Sequence, residues 1–432
     1  MINLKTIILA GGSGRRLWPL TETIPKPMIP LGGKPTLEHV ITNLKEAGLK
    51  DLIIVVGYMK EQIMEYFGNG YDWGLNIEYV EQGQMESVES AMLAVEDYLE
   101  DDAHFFVAHA DFLADSEIIT RTIETHENLN SDLTITITLV DNPSLFGVAV
   151  IDENARIKQI IEKPKRGTEP SNFAVAGLYI YPKEIFQALH STKILDQAIQ
   201  KLILEKKNIF ASVWEKDWFE ITYPWDILTA NKFILDRMLK GKGSFIAETA
   251  EISGRTKIEG SVFIGENAVI RPGAMLVGPL YIGNNTYIGN NSLVRKYSSI
   301  SDNVTIGFGV EVKNSIILEK TSVGRLSYIG DSVIGQHVEF GAGTQTWNWQ
   351  PGPTKNPIFM KFDNEQIQVP RNKFGAIIGD ETVIGINVSI FPGRRIGFNS
   401  FISPGVILER DIGSKLSVGA KQELEIKRIE EN

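Results

Sequence analysis

The residues best suited to chemistry stand near the amino terminus, in the run LAGGSGRRLWPLTETIPKPM at positions 9–28. The apolar stretch 6–10 reads as a buried strand, and Gly11, Gly12 and Gly14 follow at once. Glycines at a strand end let the backbone turn tightly and bring N–H groups against phosphate oxygens. Leu9, Ala10, Gly11, Gly12 and Gly14 are therefore candidate nucleotide-binding positions. Arg16 adds a forked, permanently charged donor, and Lys26, held between Pro25 and Pro27, adds a second cation on a stiffened segment. A Rossmann fingerprint would need Gly or Ala where Leu17 stands, and a Walker loop would need Gly-Lys-Ser/Thr; neither is present.

At 432 residues the chain is too long for one simple core, so two or three domains are expected. Its 43% apolar and 22% charged residues suit a globular protein. A net charge of −11 without a basic block argues against a nucleic-acid partner. The absence of cysteine excludes disulfides, thiolate metal sites and cysteine nucleophiles. No secretory leader or bilayer-spanning apolar run is visible, so a cytoplasmic location without a membrane partner is expected.

The first half must position the glycine loop. Short β-branched or aromatic runs at 52–57, 105–109 and 133–140 read as buried strands, with helical spacing at 36–48, 87–99 and 116–128 between them. That alternation predicts a Rossmann-like α/β domain over residues 1–240, built on a mostly parallel sheet. Ligands of such sheets bind beyond the carboxyl ends of the strands, where the glycine loop lies. A helix over 224–239, ending in Lys-Gly-Lys-Gly, is the expected hinge to a second domain.

Beyond it the period changes. Ile246, Ile252, Ile258, Ile264, Ile270, Leu276, Ile282, Ile288, Val294, Ile300, Ile306 and Val312 recur every six residues, and the pattern returns from Ile378 to Leu408. A six-residue period fits a parallel β-helix in which each hexad forms one side of a prism and inward residues stack between coils. Residues 241–415 are assigned to this domain and 416–432 to a charged tail.

The opening run resembles the signature of sugar-1-phosphate nucleotidyltransferases, G-x-G-T/S-R-L-x-P-L-T followed by K-P. The hexads resemble the left-handed β-helix of hexapeptide acyltransferases. Together, over nearly the whole chain, they resemble the bifunctional N-acetylglucosamine-1-phosphate uridyltransferase/glucosamine-1-phosphate acetyltransferase family of archaeal type. The resemblance implies that Arg16 and Lys26 neutralise charge as a sugar phosphate attacks the α-phosphorus of a nucleoside triphosphate. It implies nucleotide contacts at Gln82 and Ser87, sugar contacts at Gly147, Glu162 and Lys163, and Mg²⁺ ligation by Asp111 with Glu220 or Asp226. UDP-N-acetylglucosamine is the family's product, and the prism implies a homotrimer.

Departures cluster around this grip. Glu220 stands where the family has Asp or Asn, Ser87-Val88 where it has Gly-Thr, Ala110 where it has Gly, Arg15 where it has Thr or Ser, and Val175 where it has a sugar-binding Asn, although Asn172 lies nearby. In the prism, Arg295, Glu311, Lys313, Tyr328, Asn348 and Lys373 match sugar-phosphate positions of the acetyltransferase. Arg325, however, replaces its catalytic His, and a guanidinium cannot take a proton from an amine near neutral pH. Little or no transfer from acetyl-CoA is expected, and His337, the only histidine of the prism, reads as a surface residue. Two readings follow: a Mg²⁺-dependent sugar-1-phosphate nucleotidyltransferase with a retuned or vestigial acyl site, or a sugar-nucleotide-binding regulatory subunit of an active paralogue.

Overall fold

A strand too apolar to face water on either side organises the first unit. In the computed structural model, which describes residues 4–83, 87–99, 102–350, 352, 356–363 and 365–427, β1 (Thr6–Leu9) lies inside a nine-stranded sheet. On one side it pairs in parallel with β2 (Asp51–Val56), followed by β3 (Asn76–Glu81); on the other it pairs in parallel with β4 (His104–His109). Successive side chains of a strand point to opposite faces, so Ile7 and Ile8 enter two different cores. Ile8 packs with Leu37, Val40 and Leu44 of α1 (Thr36–Glu46), and Ile7 with Ala91 and Met92 of α3 (Val88–Leu93), after the surface helix α2 (Lys60–Phe67).

After β5 (Phe112–Ala114) and α4 (Glu117–Asn128), the sheet gains β6 (Leu133–Leu139), β7 (Gly147–Ile151), β8 (Ile157–Glu162) and β9 (Phe173–Pro182). β9 runs antiparallel to β4, β6 and β7, so the sheet is mixed: parallel around the glycine loop, antiparallel around Gly147 and Glu162. Helices α5 (Ile185–Thr192) and α6 (Leu195–Leu204) lead to β10 (Ile209–Trp214), parallel to β6. The short strand β11 (Trp218–Glu220) pairs antiparallel with β5, which sets Glu220 opposite Phe112.

The helix expected at 224–239 forms as α7 (Pro224–Leu239). Beyond it, three parallel sheets of eight, nine and eight strands form a left-handed β-helix. The hexads explain the register: Ile264 pairs with Ile282 and Ile282 with Ile300, each one coil of three hexads further on. Inward Ile264, Ile282, Ile300, Ile306 and Val312 are all fully buried. Asn267, Asn285, Asn303, Asn387 and Asn399 have positive φ, a corner conformation that Asn tolerates better than most residues. The period drops to five between Val312 and Ile317, and again between Ile329 and Ile334, while the ladder continues unbroken. The 350–371 insertion carries a hairpin, Phe359–Phe362 against Glu365–Gln368, inside the coil that joins Ile334 to Ile378.

Close packing divides the chain into two units, Met1–Arg15, Ile24–Pro30 and Lys34–Thr222 in one and Arg16–Thr23, Leu31–Gly33 and Tyr223–Asn432 in the other. The signature run is therefore shared between them. Within the second unit, the buried Asn231 of α7 accepts from Gly32 N and Ser299 Oγ at 3.0 and 2.7 Å and donates to Tyr297 O at 3.0 Å. Leu235 and Leu239 pack on Tyr281 of the prism. No helix among the described residues is long and apolar enough to cross a membrane.

Each inward residue touches its counterparts above and below, so truncation opens a cavity the ladder cannot close. Ile300→Ala is expected to cost about 2–5 kcal/mol and Ile300→Val only about 0.5–1.5 kcal/mol, read as shifts of the urea midpoint. Equal, negligible shifts would contradict a close-packed ladder.

Candidate active site

The strand ends of β1 and β4 open onto a cavity of about 230 Å³ lined by Leu9, Ala10, Gly11, Gly12, Gly14, Lys26, Gln82, Ser87, His109 and Asp111, with Val88 and Ala91 at its edge. Each glycine has its own reason. A Cβ on Gly11 would fall 2.2 Å from Gln82 Oε1, and Gly14 has φ +64°, whereas the space beside Gly12 is open and leaves room for a phosphate. Gln82 donates to Ser87 O and Ser90 Oγ, both at 2.8 Å, and the Ser87 hydroxyl caps α3 by accepting from Ser90 N at 3.2 Å. The expected contact positions thus form the wall through their own hydrogen bonds.

Lys26 Nζ is bonded to Asp111 Oδ2 at the foot of this cavity. Burial alone raises the Asp111 carboxyl, but the Lys26 and His109 charges and a backbone hydrogen bond outweigh it and hold the group below the ordinary carboxylate range. Glu220 moves the other way: burial and the nearby Asp111 charge raise it, with Lys26 only partly offsetting them. Ile221 N donates to Asp111 O at 3.3 Å, which ties β11 to this strand end. A buried carboxylate and a half-buried one, the second unable to ionise easily beside the first, form an arrangement that a cation relieves. Mg²⁺ is commonly held by one or two carboxylates with phosphates and water completing its shell, so Asp111 and Glu220 fit such an ion.

Asp226, expected as an alternative ligand, takes part in the local structure of α7. It lies in the second unit and accepts from Tyr223 N at 2.7 Å, capping the N-terminus of α7. Arg16, expected on the phosphates, lies in the second unit, with its guanidinium 5.4 Å from the Tyr223 ring centroid.

A second cavity of about 460 Å³ follows, lined by Phe146, Gly147, Glu162, Lys163, Val175, Tyr179 and Glu220, with His109 common to both. Lys163 Nζ pairs with Glu162 Oε1 at 2.8 Å. Gly147 sits opposite Glu162 in the ladder, and a Cβ there would stand 2.9 Å from Glu162 Oε2. The three sugar-contact residues expected from the sequence therefore share one pocket. Val175 faces it, whereas Asn172 is exposed and does not line it. His109 was not expected. Its ring fits against Gly177, which has φ +74° within the register shift between Val175 and Tyr179.

The acyl-site candidates divide. Glu311 and Tyr328 occupy successive rungs of one prism sheet, and Arg295 pairs with Glu311 at 3.0 Å. The hub is Asp331, unassigned from the sequence: it accepts from Lys313 Nζ at 2.7 Å, Asn314 Nδ2 at 2.7 Å and Asn348 Nδ2 at 2.6 Å. Asn348 Nδ2 also donates to the Tyr328 hydroxyl at 2.8 Å. Burial, then the Asp331 and Glu311 charges, push that hydroxyl up to about 12. Arg325 is exposed at a corner, and Lys373 lines a separate cavity with Trp349 and Arg371.

A phosphate loop beside a part-buried lysine–carboxylate pair, a sugar-sized pocket alongside and a hexapeptide prism define a two-domain nucleotidyltransferase. Residues 5–237 match the nucleotidyl transferase family model, and residues 276–349 match the GMPPB C-terminal domain. The bifunctional protein GlmU of Methanocaldococcus jannaschii is 35% identical over 99% of this chain and 100% of its own. The bifunctional sugar-1-phosphate nucleotidylyltransferase/acetyltransferase of Sulfurisphaera tokodaii is 34% identical over 95% of this chain and 98% of its own. The low-salt glycan biosynthesis nucleotidyltransferase Agl11 of Haloferax volcanii is 32% identical over 78% and 94%. The chain belongs to the nucleotidyl transferase family, as a sugar-1-phosphate nucleotidyltransferase of the GlmU-like bifunctional group.

Lys26→Met removes the cation from the foot of the first cavity while keeping its bulk. Affinity for a nucleoside triphosphate, measured by calorimetry, is expected to fall roughly tenfold or more, about the worth of one charge-assisted hydrogen bond. Unchanged affinity with an intact fold would show that Lys26 does not meet the phosphates.

Proposed function

We propose that this protein joins a nucleoside triphosphate to a hexose-type sugar 1-phosphate in the cytoplasm, releasing pyrophosphate, and that its prism performs no acetyl transfer. The observation that carries the first part is the pair of adjoining cavities with His109 between them: one has open glycine backbone and Lys26, the other Glu162 and Lys163. In this reading the glycine-loop N–H groups and Lys26 orient the triphosphate, while Glu162 accepts from sugar hydroxyls. Asp111 and Glu220 would hold a Mg²⁺ ion, which would supply further charge neutralisation on the phosphates. An oxygen of the sugar phosphate forms the new bond to the α-phosphorus as the α–β bridging bond breaks and pyrophosphate leaves with the electron pair. The nucleophile is already ionised, so no protein base is needed, and positioning with electrostatics lowers the barrier.

The second part rests on Arg325, exposed where a base would be needed, and on Lys313, Asn348 and Tyr328 being bound into the Asp331 network. The prism acts as a scaffold in a homotrimer. Exposed Phe308 and Leu326 support that role: they fall on one corner in neighbouring coils, linked by the Leu326 N to Phe308 O bond, and offer apolar surface to a second copy.

Pyrophosphate release across UTP, dTTP, GTP and CTP with several sugar 1-phosphates tests the proposal. One pair is expected to turn over and to lose activity with EDTA, with no thiol released from acetyl-CoA in a parallel assay. Tight binding of a sugar nucleotide without turnover would instead support a regulatory subunit, and acetyl-CoA-dependent thiol release would overturn the inactive prism.

A further inference from the structure

The seam between the two cavities is set by strand order. In the sheet, β4 lies between β1, which feeds the glycine loop, and β9, which carries Val175 and Tyr179. The last residue of β4, His109, stands opposite Leu9 on one side. On the other side the ladder with β9 begins one residue earlier, where Ala108 meets Leu178. Alternation puts His109 on the same face as Phe105 and Val107, which are buried with Ala91 and Met92 of α3. Where that apolar face ends a polar ring stands, and it lines both cavities.

The ring is seated on one side only. A Cβ on Gly177 would stand 3.1 Å from both Cγ and Nδ1 of His109, so glycine there lets the Nδ1 side lie against backbone. Tyr179 flanks the ring, with centroids 6.1 Å apart, and itself stacks on Tyr181 at 5.0 Å. Nε2, at the far end of the ring, is the nitrogen left for the cavities. Two other histidines of this unit have partners: His126 Nδ1 meets Thr134 Oγ1 at 3.0 Å, and His190 Nε2 meets Glu96 Oε2 at 2.7 Å. Among the described residues the His109 ring has no hydrogen-bond partner. Polar groups withdrawn from water are normally bonded, and the space beside this one is where substrates would lie.

We propose that His109 is a catalytic residue for nucleotidyl transfer: its Nε2–H donates to a non-bridging oxygen of the α-phosphoryl group, where nucleotide and sugar phosphate meet. This rests on the reading of the two cavities as triphosphate and sugar sites. With the triphosphate in one and the sugar in the other, the phosphorus that changes partners lies at their seam. His109 and Val88 are the residues common to both linings, and Val88 has no polar side-chain atom to offer. The proton stays on Nε2 throughout. An oxygen of the sugar phosphate bonds to the α-phosphorus, the α–β bridging bond breaks, and its electron pair leaves with pyrophosphate. A fixed donor at an oxygen where charge builds lowers the barrier more than it tightens binding.

The test compares two substitutions in the full chain, with the nucleotide and sugar 1-phosphate pairing that turns over. His109→Phe keeps the bulk of a ring and removes its N–H; His109→Gln gives up the ring and keeps a donor. His109→Phe is expected to lower kcat roughly a hundredfold, the order lost with one preorganised donor, with little change in Kd for the Mg²⁺–triphosphate. His109→Gln is expected to recover much of that kcat. A residue that only filled space would give the reverse order, with Phe near wild type and Gln impaired. That reverse order, or equal kcat in the two variants, would overturn the proposal. If the wild type turns over no pairing, the reading of function fails by itself, and the variants are read by calorimetry on UDP-glucose and dTDP-glucose. There, weaker binding in His109→Phe that His109→Gln restores supports the contact, and equal affinity in all three proteins removes it.

Discussion

The contact on which the nucleotide site depends is the bond between Lys26 and Asp111. Placing a carboxylate at a buried strand end is costly unless a cation or several donors stand beside it. Lys26 supplies that cation, and its proximity holds Asp111 ionised while the neighbouring Glu220 is pushed toward its neutral form. The site is thus poised between one positive and two potentially negative groups. A divalent cation and a polyphosphate together would resolve that imbalance, the cation taking the carboxylates and the phosphates taking Lys26.

The two units solve different physical problems. The mixed sheet brings glycine backbone, Lys26, Asp111 and the Gly147–Glu162 pair to one end of the strands, which requires precise register across β4, β7, β8 and β9. The prism asks only that one apolar residue recur on each side, and stability accumulates coil by coil. That tolerance lets it absorb two shortened hexads and a long insertion without losing its ladder. It also leaves its rungs free to carry other duties, as the Asp331 network does.

Much of this was legible in the sequence because it is local. The glycine run, the hexads, the helix at 224–239 and the strand ending at His109 depend on neighbours a few residues away. What escaped depends on residues brought together by folding. Asp331 acquires its importance only when Lys313, Asn314 and Asn348 arrive from adjacent coils. His109 lines both cavities with its ring against Gly177, at a register shift between β9 and β6 that no motif announces. Asp226 looks like a spare carboxylate in a family motif, yet the Tyr223-Pro224 start of a helix gives an acidic residue at its third position a capping role. The division of the signature run between two packing units is likewise invisible in a string that reads as one continuous motif.

The most direct test of the account is a ³¹P NMR record of the protein with Mg²⁺, a nucleoside triphosphate and a sugar 1-phosphate. The account predicts that, for one pairing, the sugar phosphate resonance is replaced by coupled diphosphate resonances of a nucleotide sugar as pyrophosphate appears in equal amount, and that Lys26→Met slows both together. Triphosphate and sugar phosphate that stay unchanged across all pairings, in protein that binds them, would contradict it.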